Sequence, residues 1–311
     1  MSVRVAVVDL GTNTTRLLVA DVQDGRVEEL EKQTTITQLG QGVDATGRLA
    51  DEAMDRVRDT LESYRAKIDR LNADDVIAVA TSAMRDAENG PEFRDELNRR
   101  YGIDARTISG DEEARLTFLG ATSGRTPAAE SPASTVVIDI GGGSTEYVVG
   151  SNGADPDFHI SAQLGSRRHT ERFLKSDPPG HEELEALAAD VRRIVEESVP
   201  EEDREGTTEG IAVAGTATTL AAIDLELDPY DAEKVHGYRL GLAAAERIRA
   251  MLAALPVAER RNVTGLHPDR APVIVAGVTI LVESIRAFGL DEIEISESDI
   301  LQGAAMAAAG A

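Results

Sequence analysis

One short pattern occurs twice in this chain. Val7 to Ala20 (VVDLGTNTTRLLVA) and Val137 to Gly150 (VIDIGGGSTEYVVG) each read as a strand, a turn of small residues and a second strand, set 130 positions apart. At that offset Asp9 falls on Asp139, Gly11 on Gly141, Thr14 on Ser144 and Val19 on Val149. A strand-turn-strand unit repeated across half a chain is best explained by two similar domains facing each other, each offering a Gly- and hydroxyl-rich turn to one cleft. Two such turns suit a phosphate held from both sides. The length of 311 residues suits two domains with ordinary cores. The small, polar, proline-bearing stretch Thr126 to Ser134 (TPAAESPAS) is the natural boundary. It gives domains of 1–125 and 126–311, the final helix being a candidate to return to the first.

Several function classes fall away on composition. There is no cysteine, which removes disulfides, thiolate metal ligands and thiol nucleophiles, and no apolar run reaches the roughly 20 residues of a membrane span. The first residues enter strand-like sequence without a charged leader, so a soluble cytoplasmic protein is expected. The net charge of -24 argues against nucleic acid and against anionic membrane as partners, so any polyanion must be gripped locally. Arg outnumbers Lys by 28 to 4. An acidic, Lys-poor surface fits a host with high internal salt, where the screening length shrinks to about 3 Å at 1 M; a high-GC genome produces the same Arg bias.

Hydrophobic periodicity orders the rest. Val3 to Asp9, Arg16 to Asp21 and Arg26 to Thr35 read as consecutive strands. Met54, Val57, Leu61, Tyr64, Ile68 and Leu71 recur at helical spacing after a turn over Gly40 to Gly47. Val76 to Ala80, a helix over Pro91 to Arg100, Ala105 to Ile108 and a helix over Glu112 to Ala121 complete the first half. In the second half, strands are expected at Thr135 to Ile140, Glu146 to Gly150, Phe158 to Gln163, Ile211 to Ala214 and Glu292 to Ser296. Helices are expected at His181 to Val199, Leu242 to Ala254, Ala271 to Phe288 and the Ala-rich end. The fold class is α/β, with mixed sheets flanked by helices in two domains around an interdomain cleft.

The turns carry the chemistry. Gly141, Gly142 and Gly143 let backbone approach a phosphate and adopt positive φ, while Ser144 and Thr145 offer hydroxyls. Asp139 and Glu146 flank the turn and suit a hard cation held partly through water. In the other turn Thr12, Asn13 and Thr14 supply side-chain donors. Neither turn is a GxxxxGK[ST] or GxGxxG loop. A third loop, starting Gly215-Thr216, follows an apolar strand and opens a helix, so its N–H groups form another anion site. Ser109 as N-cap places Glu112 at the third helical position of a capping box, leaving Glu113 as the free carboxylate, able to orient and deprotonate a water. Arg85, after the turn Thr81-Ser82, suits a forked contact to phosphate. Taken singly, Glu113 is equally a first-turn acid and Arg85 a surface ion pair.

Together the segments VAVVDLGTNTTRLLV, ATSAMRDA, ISGDEEAR, VVIDIGGGSTEYVV, LGSRRHTE, AVAGTATTLAA, VHGYRL, VIVAGVTILVESI and ISESDILQG resemble the exopolyphosphatase and guanosine pentaphosphatase family, in order and across nearly the whole chain. The resemblance implies two ribonuclease-H-like domains, as in actin, hexokinase and the heat-shock ATPases. It also implies hydrolysis of a terminal phosphoanhydride with Mg2+ (or Mn2+), from inorganic polyphosphate or guanosine pentaphosphate. Carried over by position, Glu113 matches the catalytic carboxylate and Arg85 a phosphate-binding Arg. Asn13 matches the Asn of the first turn, Asp139 and Glu146 the metal ligands, Gly141, Gly143 and Ser144 the second phosphate turn, and Arg168 an Arg usual in the family. His236 fits the family's HG pair and is expected to be structural. The resemblance is compatible with a homodimer.

Three departures stand out. Longer relatives carry extra helical domains past the point where this sequence stops, which leads us to expect weak processivity and a preference for short polyphosphate. Ile300-Leu-Gln-Gly303 stands where many relatives have an Arg in a G-L-R-E-G segment, and Arg167 where an apolar residue is common. Guanosine pentaphosphate hydrolysis, a non-catalytic sensor of polyphosphate or alarmone, and an ATP-dependent sugar kinase remain as competing readings.

Overall fold

A computed structural model describes residues 2–123, 125, 134–151 and 155–310. The expected boundary at Thr126 to Ser134 lies outside the described residues except for Ser134. The chain divides into two compact units, Met1–Gly124 with Asp299–Ala311, and Arg125–Ser298.

The first unit is built on five strands: β1 (Val3–Leu10), β2 (Thr14–Gln23), β3 (Arg26–Ile36), β4 (Asp75–Ala80) and β5 (Ala105–Thr107). Their order across the sheet is β3-β2-β1-β4-β5. β1 runs antiparallel to β2 and parallel to β4, which makes the sheet mixed. β1 and β2 are rich in Val and Leu, and their central residues are buried. The edge strand β3 carries Glu28, Glu29, Glu31 and Lys32, charges that discourage edge-to-edge pairing. A short α1 (Val43–Thr46) occupies the expected Gly40 to Gly47 turn. α2 (Asp51–Leu71) then buries Ala53, Met54, Val57, Leu61, Tyr64 and Ile68 along one face. α3 (Ser82–Asp86), too short for a periodic signal, was not expected from the sequence. α4 (Gly90–Tyr101) carries Pro91 in its first turn and ends at left-handed Gly102. α5 (Gly110–Thr122) is capped by Ser109. The chain's last helix, α14 (Ile300–Ala308), belongs to this unit, with Leu301, Ala304 and Ala305 packed on Val5, Val7 and Leu18. It meets α5 backbone to backbone: a Cβ on Gly120 would lie 1.9 Å from the Asp299 carbonyl, and one on Gly303 1.8 Å from that of Leu116.

The second unit repeats the plan. β6 (Ser134–Ile140), β7 (Thr145–Ser151) and β8 (Phe158–Ala162) form a meander, followed by α6 (Ser166–Phe173), α7 (His181–Ser198) and α8 (Glu201–Glu205). β9 (Glu209–Val213), α9 (Ala214–Asp224), α10 (Ala232–Val235), β10 (Arg239–Gly241), α11 (Leu242–Ala254), α12 (Val257–Arg260), α13 (Ile274–Ala287) and β11 (Glu292–Ile295) complete it. The sheet order is β10-β11-β9-β6-β7-β8. α13 is buried on all sides and forms the centre of this core with α7, α9 and α11. It starts three residues later than expected, at Ile274. β9 stops one residue earlier than expected because Ala214 turns to φ 64°.

Candidate active site

In the first unit the parallel pairings Leu10↔Ala80 and Ala80↔Thr107 bring the carboxyl ends of β1, β4 and β5 level. From those ends emerge the Gly11 turn, α3 with Arg85, and α5 with Glu113, the edge of an α/β sheet at which ligands gather. Arg85 Nη1 donates to Glu113 Oε2 at 3.2 Å and to the Ile108 carbonyl at 3.1 Å. The Glu113 residue is 7% exposed. Two residues far apart in sequence thus form one ion pair, a buried carboxylate with a half-buried guanidinium. Ser109 Oγ accepts the Glu112 N–H as expected, but the Glu112 carboxylate goes to Arg106. A charge-assisted contact replaces the back half of the expected capping box.

The Gly11 turn closes through Gly11 N–H to the Thr14 carbonyl, 2.9 Å. The Thr12 carbonyl accepts from Gly40 N–H (2.8 Å), and that of Asn13 from Thr37 and Gln38 N–H (3.1 and 2.9 Å). In a trans peptide N–H points opposite to C=O, so the N–H groups of Asn13 and Thr14 face away from the Thr37 to Gly40 loop. Thr12 and Asn13 are buried. Tyr64 on α2 anchors the turn's far side by donating to the Thr15 carbonyl at 2.9 Å.

The second unit carries the same device. Asp139↔Val213 pairing levels β6 with β9, so the Gly141 turn and the start of α9 emerge side by side; Gly215 and Thr216, expected in a loop, lie in the first turn of that helix. Gly141 N–H donates to the Ser144 carbonyl at 3.0 Å, repeating the first turn. The Gly141 carbonyl accepts from Ser166 N–H (3.0 Å) and Oγ (3.1 Å), that of Gly142 from Arg167 and Arg168 N–H (2.9 and 3.0 Å), and that of Gly143 from Arg168 Nε (2.7 Å). With all three carbonyls turned to the start of α6, the N–H groups of Gly142, Gly143 and Ser144 point the other way, as an anion-binding nest requires. None of Gly141, Gly142 and Gly143 adopts the positive φ expected of them. They serve close approach: Gly165 lies so near that a Cβ there would be 2.4 Å from the Gly142 carbonyl oxygen. The Thr145 hydroxyl, expected to face ligand, donates to the Leu164 carbonyl at 2.5 Å. Arg168 commits one edge of its guanidinium to the turn, so it shapes the nest as well as charging it.

Asp139 and Glu146 lie directly opposite one another across β6 and β7, on one face of the sheet, 7% and 1% exposed. Ser161 Oγ donates to Glu146 Oε1 at 2.7 Å. Two buried carboxylates at the foot of the Gly141 turn are the hard oxygen donors that Mg2+ or Mn2+ takes when water fills its remaining positions. Among the described residues no group of three or more His, Asp or Glu gathers as a metal cage, so a partly hydrated ion fits this pair. At the same register in the first unit, Asp9 instead faces Arg16, whose Nε donates to Asp9 Oδ2 at 2.8 Å while Nη1 holds Asp299.

The sequence profile of the Ppx/GppA phosphatase family matches residues 18–306. The chain belongs to that family. Exopolyphosphatase 2 of Mycobacterium tuberculosis is 38% identical over 320 residues, covering 99% of this chain and 99% of its own length. The crystal structure of an exopolyphosphatase-like protein superposes with a TM-score of 0.91 at 35% identity, over 99% of this chain and 98% of that one. The Aquifex aeolicus member of the Ppx/GppA family gives 0.82 at 30% identity, again over 99% and 98%.

The structure places one basic residue beside the start of α9 that sequence reasoning missed. The Arg270 guanidinium lies against the Gly215 backbone, where a Cβ would be 1.8 Å from Nη1. Beside it, Thr216 is buried against Gly277 of α13. The signal was the glycine itself, a sign that something overhead needs the space. The remaining expectations resolve locally. His236 Nδ1 accepts the Glu297 N–H at 3.2 Å, a structural role. Gln302 closes the capping box of α14 by accepting the Asp299 N–H (2.9 Å) and donates to Glu29 (2.7 Å). Arg167 is buried and pairs with Glu171 at 3.6 Å.

Proposed function

We propose that this protein hydrolyses the terminal phosphoanhydride of inorganic polyphosphate. The observation that carries the reading is the Arg85–Glu113 pair, a buried carboxylate held by a guanidinium at the edge where the Gly11 turn emerges. Family membership and the name of the 38% identical relative support it. In the proposed step a water oxygen attacks the terminal phosphorus in line with its bridging oxygen. The P–O bond to the rest of the chain breaks, the leaving oxygen keeps the electron pair, and Glu113 takes the water's proton. Orthophosphate and a polymer one unit shorter result.

The reading gives each unit a task. In the first, Glu113 aims the water, while Arg85 and the turn of Thr12, Asn13 and Thr14 balance charge on the phosphoryl oxygens. In the second, the nest of Gly141 to Ser144, with Arg168, Gly215 and Thr216, offers further donors to phosphate oxygens. A divalent cation held by Asp139 and Glu146 would neutralise developing negative charge. The test is phosphate release measured side by side on short polyphosphate, long polyphosphate and guanosine pentaphosphate, with Mg2+ and with Mn2+. Faster release from short polyphosphate is expected. Release from guanosine pentaphosphate alone would replace the substrate, and binding without release from any of the three would make the protein a sensor.

A further inference from the structure

The direction of the Gly142, Gly143 and Ser144 N–H groups is set from behind, by the donors at the start of α6. That helix spans eight residues (SRRHTERF), too few to hold itself, so something outside it must fix its first turn. Gly165 provides shape, packed backbone to backbone on the turn. A side chain provides the polar tether. His169 is completely buried, with Nδ1 3.2 Å from the Gly165 N–H nitrogen and Nε2 3.3 Å from Asp190 Oδ2 on α7. The latter is a close electrostatic contact without a hydrogen bond between the two atoms. Its ring stacks on Phe173 with centroids 5.7 Å apart. Arg193 donates to Asp190 Oδ1 at 2.6 Å and Arg172 lies 3.8 Å from Oδ2, which keeps the carboxylate ionised beside the ring. Burial drives the imidazole pKa down to about 4, so the ring is neutral at ordinary pH. Nδ1 lies 3.2 Å from both the nitrogen and the carbonyl oxygen of Gly165; with the ionised Asp190 beside Nε2 the tautomer protonated at Nε2 is favoured, and Nδ1 then accepts from the Gly165 N–H.

We infer that His169, oriented by Asp190, is a positioning residue for phosphate binding. It holds the Gly165 N–H, thereby the first turn of α6, and thereby the aim of the three N–H groups on the opposite side of the Gly141 turn. The inference rests on reading that turn as a phosphate site. It assigns a role in substrate recognition to a histidine that touches no substrate.

Two variants separate this role from a merely structural one. His169→Asn keeps an acceptor near the Nδ1 position, whereas His169→Leu fills similar space without one. Each is compared with the wild type, well below its unfolding temperature, for kcat and KM on tripolyphosphate and for tripolyphosphate Kd by calorimetry. Loss of alignment toward a charged ligand should raise KM and Kd about tenfold in the Leu variant, with a smaller change in kcat, and the Asn variant should recover most of the loss. Wild-type KM and Kd in the Leu variant, with only a lower unfolding temperature, would overturn the inference. So would an Asn variant as weak as Leu. If the Leu variant does not fold, Asp190→Asn reads the same tether: weaker tripolyphosphate binding supports it and unchanged Kd overturns it. Should the wild type release no phosphate, the hydrolytic reading fails while the Kd comparison still decides this one. If the wild type does not bind tripolyphosphate, both fall.

Discussion

Replacing Gly165 by Ala tests how tightly the second turn is braced. Its φ of -144° and ψ of 151° are extended and open to any residue, so the cost is steric. The added Cβ would sit 2.4 Å from the Gly142 oxygen and 2.5 Å from the carbonyl carbons of Gly142 and Gly143, against an ordinary contact of 3.4 Å or more. All three are backbone atoms, so no rotamer change relieves the overlap, and the turn and α6 must part by about 1 Å. Overpacking of this kind costs about 1–3 kcal/mol. For a unit of this size, about 2–4 °C is lost per kcal/mol. The same displacement stretches the bonds from Ser166, Arg167 and Arg168 to the turn, and about 1 Å of misplacement lowers turnover on the order of 100-fold. Thermal unfolding followed by fluorescence, with phosphate release measured well below the transition, reads both effects. A Gly165→Ala protein with the wild-type transition and turnover would refute the close-packing argument.

Three further outcomes are expected. Ala214→Gly relieves a non-glycine residue at φ 64° and should stabilise the protein by up to about 1 kcal/mol in a denaturant titration; destabilisation would show that the position is not strained. His169, ordinarily near 6.5, is held at about 4 when folded, so the unfolded chain takes up a proton first. Its contribution is complete above about pH 6.5 and falls away as pH drops toward 4, by up to about 3 kcal/mol. His169→Asn should flatten that slope, and an unchanged slope would assign the titration elsewhere. With a net charge of -24, the unfolding midpoint should rise between about 0.05 M and 1 M KCl as repulsion is screened; a flat response would remove self-repulsion as a factor.

The duplicated hairpin was legible because strand, turn and strand are contiguous, and the register bears it out: Asp9↔Arg16 in one sheet stands where Asp139↔Glu146 stands in the other. The long strands and α2 were legible through β-branched runs and helical periodicity. What escaped depends on partners distant in sequence. α6 is polar and short, and is helical because turn carbonyls and a buried histidine receive it. The Arg85–Glu113 contact exists only once β4 and β5 lie side by side. Arg270 reaches Gly215 from a 3-10 turn at Pro268–Arg270 with no motif of its own. Hydroxyls such as that of Thr145 looked free in sequence because their backbone acceptors come from other elements.

Glu113→Gln is the most direct test of the hydrolytic reading. The substitution keeps shape and hydrogen bonding but removes the group that accepts the water's proton. Tripolyphosphate Kd should stay within about threefold of wild type, while phosphate release falls about 100-fold or more. Release at the wild-type rate would contradict the account and send the search for the base elsewhere.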